Sequence, residues 1–422
     1  MTGSDDAGTR RLRLARAWAS AALWCLPALA LTLPKGLVPF AALLLASTLL
    51  VPGQLRAAAD VIARPLLLMA LVAVLVLGVA LASGWVAGVT PGKADNLDRL
   101  LGLPWTMAWA YALAPSRTQL WRGALFGLIA AALLASYQVI AGAERASGWG
   151  NAIVFADAVL ALMVLAMFCR PPQRWRWATV GLACGTVAIL LSGTRGAWPG
   201  LGLLLVVLVL GSGWKSRRSR ILLLGAAAAV VVALVGTVPG LTERMRLSEL
   251  QQDIVRIDRG DHNSSAGARL ERLQVAAQVF VARPWTGVGF GHFDQAMEQA
   301  LPECRQDAAA DRCHLGHAHN DLAEWGATMG VPGIVALALL YGVPLWLFLW
   351  LRRAAVADPL RGAAAAGAMV VAVYVLCGLT QSMFAHQTSA SLYAGLTGIL
   401  LGLALREARW PPGPRVADEA PV

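Results

Sequence analysis

Charge is what this chain lacks. Asp, Glu, Lys and Arg make up 14% of its 422 residues, against 58% hydrophobic types and a mean hydropathy of +0.61. A water-soluble domain carries about a quarter of its residues charged, so a soluble globular protein is excluded. Period-2 alternation is missing as well, which argues against barrel strands. Helices are left as the spanning elements, because lipid gives backbone N–H and C=O groups no partner. Soluble-enzyme signatures are also absent: there is no P-loop behind a strand, no GxSxG, no HExxH and no Asp-x-Asp for a metal–nucleotide sugar. A membrane active site outside the cell meets no ATP or nucleotide sugars, so an activated substrate there is expected to arrive attached to lipid.

What is present is a series of apolar runs. A span needs roughly 20 apolar residues. That rule marks about twelve: 17–33, 36–52, 65–83, 98–114, 120–141, 151–169, 177–193, 196–212, 221–238, 326–350, 362–381 and 388–406. The basic stretch before the first run resembles a signal peptide, but with spans continuing down the chain it reads as a retained helix behind a cytoplasmic tail. The formal net charge of +11 is explained by loop bias rather than by nucleic acid, since Lys and Arg collect in cytoplasmic loops. Arg10, Arg11, Arg13, Arg16, Arg56, Arg64, Arg117, Arg122, Arg170, Arg217 and Arg352 fall on one set of loops. The alternate short loops hold only Lys35, Lys93, Arg99, Arg145 and Arg195. Both termini are therefore expected inside.

The fold class expected is an all-α polytopic membrane protein of about twelve helices. One large helical loop lies between the ninth and tenth, on the outer, periplasmic face. The divisions are 1–238 for the first nine helices, 239–325 for the loop domain, 326–406 for the last three helices and 407–422 for a cytoplasmic tail. Within the loop, 242–260 and 267–284 have helical periodicity, and Pro284 stops the second. WTGVGFGHF (285–293) is too rich in Gly for a helix and suits close approach of backbone.

Six cysteines are present, of which Cys25, Cys169, Cys184 and Cys377 fall in or at the ends of spans as small packing residues. Cys304 and Cys313 lie outside, where a disulfide can close a short loop. The competing reading is a metal site from Cys304, Cys313, His314, His317 and His319, whose spacing matches no zinc pattern.

The polar anomaly is GHAHNDLAEWGATMGVPG (316–333). His314, His317 and His319 crowd together beside a membrane mouth, and a neutral imidazole is suited to take a proton in a transition state. A helix is expected to begin at the histidine and to pack closely through Gly330 and Gly333. Asp321 and Glu324 favour its positive end, and read most simply as helix caps. Arg195, in the turn SGTRGAW between two apolar runs, is costly unless functional; the other reading is a snorkel to lipid headgroups. Its planar fork of donors fits phosphate oxygens. Arg269 and Arg272 lie nearly a turn apart on the second loop helix, so that one can face a site while the other meets Glu271 or solvent.

With these residues in hand, the chain resembles the bacterial O-antigen ligase family, within a wider group of O-antigen polymerases and ligases. The family motif, His, then Asn, Ser or Gln, then nine residues and Gly-x-x-Gly, is met by His319, Asn320, residues 321–329, Gly330 and Gly333. The arginine-led helix before a Pro–Gly-rich turn is met by Arg269, Pro284 and GVGFGHF, and the turn arginine by Arg195. The resemblance implies transfer of O-antigen polysaccharide from undecaprenyl diphosphate to the lipid A–core. Both substrates are lipids met at the inner membrane, and no cofactor, metal or nucleic acid is involved. It implies His319 as general base and Arg195 and Arg269 on the diphosphate. His317, Asn320 and Arg272 are in support, and Lys35, Lys93 and Arg145 are open as further contacts. Rival readings are an O-antigen or exopolysaccharide polymerase, a protein oligosaccharyltransferase, and a polysaccharide or lipid transporter. A transporter places its polar residues at mid-span, whereas the intramembrane polar residues here are few: Tyr137, Gln138 and Asp157, with Gln381 and His386 near the outer ends of spans.

Overall fold

The computed structural model describes residues 3–89, 96–211, 265–301, 316–354 and 362–409. All regular structure among them is helical. In chain order the helices are α1 (Gly3–Leu29), α2 (Val38–Leu50), α3 (Pro52–Val61), α4 (Ala63–Val86), α5 (Gly102–Leu113), α6 (Arg117–Ile140), α7 (Ala152–Phe168), α8 (Trp175–Ser192) and α9 (Trp198–Gly211). Then come α10 (Ser265–Ala282), α11 (Phe293–Ala300), α12 (Asp321–Ala354), α13 (Ala363–Gly378) and α14 (Gln387–Arg409). Among the described residues four helices are long and apolar enough to cross a membrane, and a fifth span arises if α2 and α3, bent by 90° at Val51, count as one. Shorter apolar helices lie at 152–168, 176–192, 195–207 and 363–378.

One loop expectation differs from what is seen. The residues after 52, expected as a loop, form α3, because Pro52 at its first position starts a new helix at the bend. Helix α12 begins at Asp321, two residues after the expected start at His319, and carries the expected apolar run 326–350. The ninth expected run, 221–238, the helix at 242–260, Lys93, Cys304, Cys313 and His314 lie outside the described residues.

The core is built around α14, most of whose apolar window is buried inside the protein. Gly398 and Gly402, one turn apart, let α5 approach until an added Cβ would sit 2.4 Å from Leu103 O and 2.3 Å from Met107 O. Gly123 and Gly127 of α6 do the same against Trp24 O and Pro27 O of α1. Apolar helices in lipid gain nothing from hiding oily surface from one another, so close backbone contact through small residues is what holds them together.

The loops sort to two ends. At one, Arg117 pairs with Glu407 at 2.5 Å, and Glu407 also accepts the Ala363 N–H at 3.0 Å. At the other, Asn96 donates to Ala385 O at 2.7 Å and Arg145 to Ser192 O at 2.8 Å. The loops rich in Arg and those poor in charge thus gather at opposite ends. The candidate residues stand with the second group.

Candidate functional site

The site begins with a broken helix. Within α12, Gly330 holds φ +67°, ψ −156°, a conformation close to glycine's own, and Pro332 has no N–H to give. The carbonyls of Ala327 and Thr328 therefore lose their helical donors. The turn after α10 supplies replacements: Val288 N–H reaches Ala327 O at 3.0 Å and Gly289 N–H reaches Thr328 O at 2.9 Å. In return Val331 N–H donates to Pro284 O at 2.7 Å. A Cβ at Gly330 would lie 2.4 Å from that same Pro284 oxygen. The close backbone approach read from WTGVGFGHF is thus directed at the Gly-x-x-Gly motif, and it docks α10 on α12. Gly333 packs within its own helix, against Trp325 O and Met329.

Ahead of α12, Asn320 Oδ1 accepts the Ala323 N–H at 2.9 Å as a helix cap, and its Nδ2 donates to Leu379 O at 2.9 Å. Glu324 reaches back to the Ala318 N–H at 2.6 Å. Asp321 is no cap. It is buried, accepts from Tyr341 OH at 2.7 Å and from Met383 N–H at 2.8 Å, and so fixes the turn that follows α13.

That turn carries Gln381, which meets His319. His319 stands at φ +54°, an uncommon conformation for a residue with a Cβ, and is 7% exposed. Its Nδ1 lies 2.8 Å from Gln381 Oε1. The same Oε1 accepts the Ser382 N–H at 3.2 Å, so it is an acceptor and Nδ1 carries the proton. The lone pair of His319 is therefore on Nε2. Gln381 Nε2 faces His386 Nε2 at 3.1 Å. The His317 ring lies edge-on to both histidines, with centroids 4.3 Å from His319 and 5.1 Å from His386.

Burial pushes the His319 pKa down to about 4, and the nearby charges of Arg269 and Arg272 add to the effect, while the bond to Gln381 opposes it. His317 is lowered further, chiefly by burial and then by His319, His386 and Arg272. Both rings are neutral at pH 7. Arg272 is the buried member of the arginine pair, 1% exposed, and donates Nη1 to Ala268 O at 2.8 Å; Arg269 is half-buried. Both reach His319 electrostatically, and Arg272 also interacts with Glu271.

Arg195 opens a 3-10 turn, Arg195–Ala197, and is half-buried. Arg145 steadies this turn through Ser192 O and Thr194 Oγ1. The neighbouring Gly196 lies against Thr380, where a Cβ would be 2.4 Å from Oγ1. Gly196, next to Arg195, and His319, far apart in sequence, thus both dock on the 380–381 turn. Among the described residues no group of three His, Cys, Asp or Glu has the geometry to hold a metal ion.

Sequence reasoning noted Gln381 and His386 only as polar residues near the outer ends of spans. Their link to His319 crosses 62 residues and leaves no local spacing to read. Tyr137 is exposed, and Gln138 is used in holding the 147–148 loop.

Residues 180–338 match the O-antigen ligase family, a stretch that contains Arg195, Arg269, Arg272, His317, His319, Asn320, Gly330 and Gly333. An uncharacterized protein of Haemophilus influenzae is 24% identical over 205 residues, 47% of this chain and 50% of that protein. The chain thus spans about half the length of that relative.

Proposed function

We propose that the chain is an O-antigen ligase, a reading supported by the match of residues 180–338 to that family. It transfers O-antigen polysaccharide from undecaprenyl diphosphate to a sugar hydroxyl of the lipid A–core, at the periplasmic face of the inner membrane. About twelve spans, both termini inside and the 239–325 loop outside complete the arrangement. The separation of arginine-rich and charge-poor loops to opposite ends supports it.

The observation that carries the reading is His319, held as the Nδ1–H tautomer by Gln381 beside two arginines. A diphosphate leaves readily once its growing charge is met, so no general acid is required. Arg195 and Arg269, with Arg272 in support, meet that charge; one such contact is worth on the order of 10²–10³ in rate. His319 Nε2 takes the proton of the acceptor hydroxyl, worth about 10²–10⁴. As it does so, the hydroxyl oxygen bonds to the anomeric carbon, and the electrons of the carbon–oxygen bond depart with the diphosphate. One base and no protein nucleophile make this a single displacement with inversion. The bound diphosphate also offsets the arginine charges that lower the His319 pKa, so the base strengthens when donor is present. No metal is needed in this scheme.

The lipopolysaccharide banding of a deletion strain tests the assignment. Core-only bands with accumulated lipid-linked polymer are expected of a ligase. A core carrying one repeat unit would instead mark a polymerase.

A further inference from the structure

We propose that a cavity beside the histidines seats the phosphorylated headgroup of the acceptor lipid, an inference that rests on the ligase reading. The cavity holds about 600 Å³, at the end of the bundle where the charge-poor loops gather. The α1–α2 turn, the residues before α5, the loop leading into α7 and the first turn of α14 form its walls.

Three features point to an anion. Lys35 and Arg99 line the cavity, and no acidic side chain does so among its described lining residues. Arg99 gives Nη1 to Ser391 Oγ at 3.3 Å, but its Nε is buried with no hydrogen-bond partner. The protein thus satisfies the guanidinium only in part, at the wall of the cavity. In addition, α7 and α14 both start here, with Asn151, Gln387 and Thr388 in the wall, so two positive helix ends meet the same space. Leu33, Trp149 and Phe155 give the rest of the wall an apolar character suited to acyl chains. Anion and acyl chain together make a phosphorylated lipid.

The choice of acceptor over donor follows from what borders the cavity. Arg195 and Arg269, assigned to the donor diphosphate, do not line it, whereas His386 does. His386 is one ring from His317, and His317 one ring from His319. A sugar extending from a headgroup seated here passes along the histidines toward the base.

The test uses the purified protein in phospholipid nanodiscs and measures binding of three probes: lipid A–core, the same lipid stripped of phosphate, and undecaprenyl diphosphate. Arg99→Ala and Lys35→Gly are the variants. Lys35 stands at φ +56°, which glycine holds without strain, so that variant keeps the turn. Each should weaken lipid A–core binding about tenfold, the change for one charge-assisted contact. The phosphate-free lipid should bind wild type and variants alike, and undecaprenyl diphosphate should be unaffected. Unchanged lipid A–core binding in both variants overturns the site, and a matching loss for undecaprenyl diphosphate reassigns it to the donor. Wild-type transfer is measured in the same nanodiscs. Lipid A–core bound by wild type but never glycosylated faults the ligase reading instead.

Discussion

Replacing Gly330 by Ala tests whether the Gly-x-x-Gly motif acts by breaking α12. At φ +67°, ψ −156° a residue with a Cβ is strained by about 1–3 kcal/mol. The new Cβ would also lie 2.4 Å from Pro284 O and 2.8 Å from the carbonyl carbons of Pro284 and Trp285. All three are backbone atoms that no rotamer change can move. The turn must therefore back away, and it is held by three bonds: Val288 to Ala327, Gly289 to Thr328 and Val331 to Pro284. Each contributes about 0.5–1.5 kcal/mol. Losing one or two raises the total to roughly 1.5–6 kcal/mol, a large share of the ~5–15 kcal/mol that holds a domain folded. The readout is thermal melting of the detergent-solubilised protein beside Gly342→Ala, on the same helix. There an added Cβ meets nothing within 4 Å, and the exchange is expected to be neutral or to stabilise by about 0.5–1 kcal/mol. Gly330→Ala should melt markedly lower and lose transfer, because α10 carries Arg269 and Arg272 on the displaced side. Equal melting of the two variants would refute the reasoning.

Arg195→Ala and Arg269→Ala should each lower transfer on the order of 10²–10³-fold at normal expression, read by in-gel lipopolysaccharide laddering. Wild-type rates with either variant would remove that arginine from the diphosphate. The acid limb of kcat/KM should fall well below the ordinary histidine pKa, near 4, because burial and the two arginines hold the free-enzyme His319 neutral. Arg269→Gln should move that limb upward as well as slow transfer; a limb that stays put would show that another group titrates. The same shift bears on stability. The unfolded chain binds more protons than the folded one between pH 6.5 and about 4, so stability should decline as pH falls through that window.

Much of this was legible in the sequence because it is local. The apolar runs and the loop charges anticipate helices and their alternation between two ends. The spacing from His319 to Gly330 locates a helix whose first turn Asn320 caps. What escaped is non-local. Nothing near Asp321 says that it bonds Tyr341 and Met383 rather than capping a helix, and nothing near Gln381 says that it orients a histidine 62 residues earlier. The bend between α2 and α3 escaped for another reason: Arg56 and Arg64 read as loop residues, while Pro52 was in place to start a helix.

The central claim is that His319 is the base, and one comparison tests it directly. His319→Ala is assayed for transfer from undecaprenyl-diphosphate-linked polymer to lipid A–core in nanodiscs containing EDTA, with donor binding measured in the same preparation. Wild type should remain active with chelator present, while His319→Ala should bind donor normally and lose about 10²–10⁴ in rate. Transfer by His319→Ala at the wild-type rate would contradict the account.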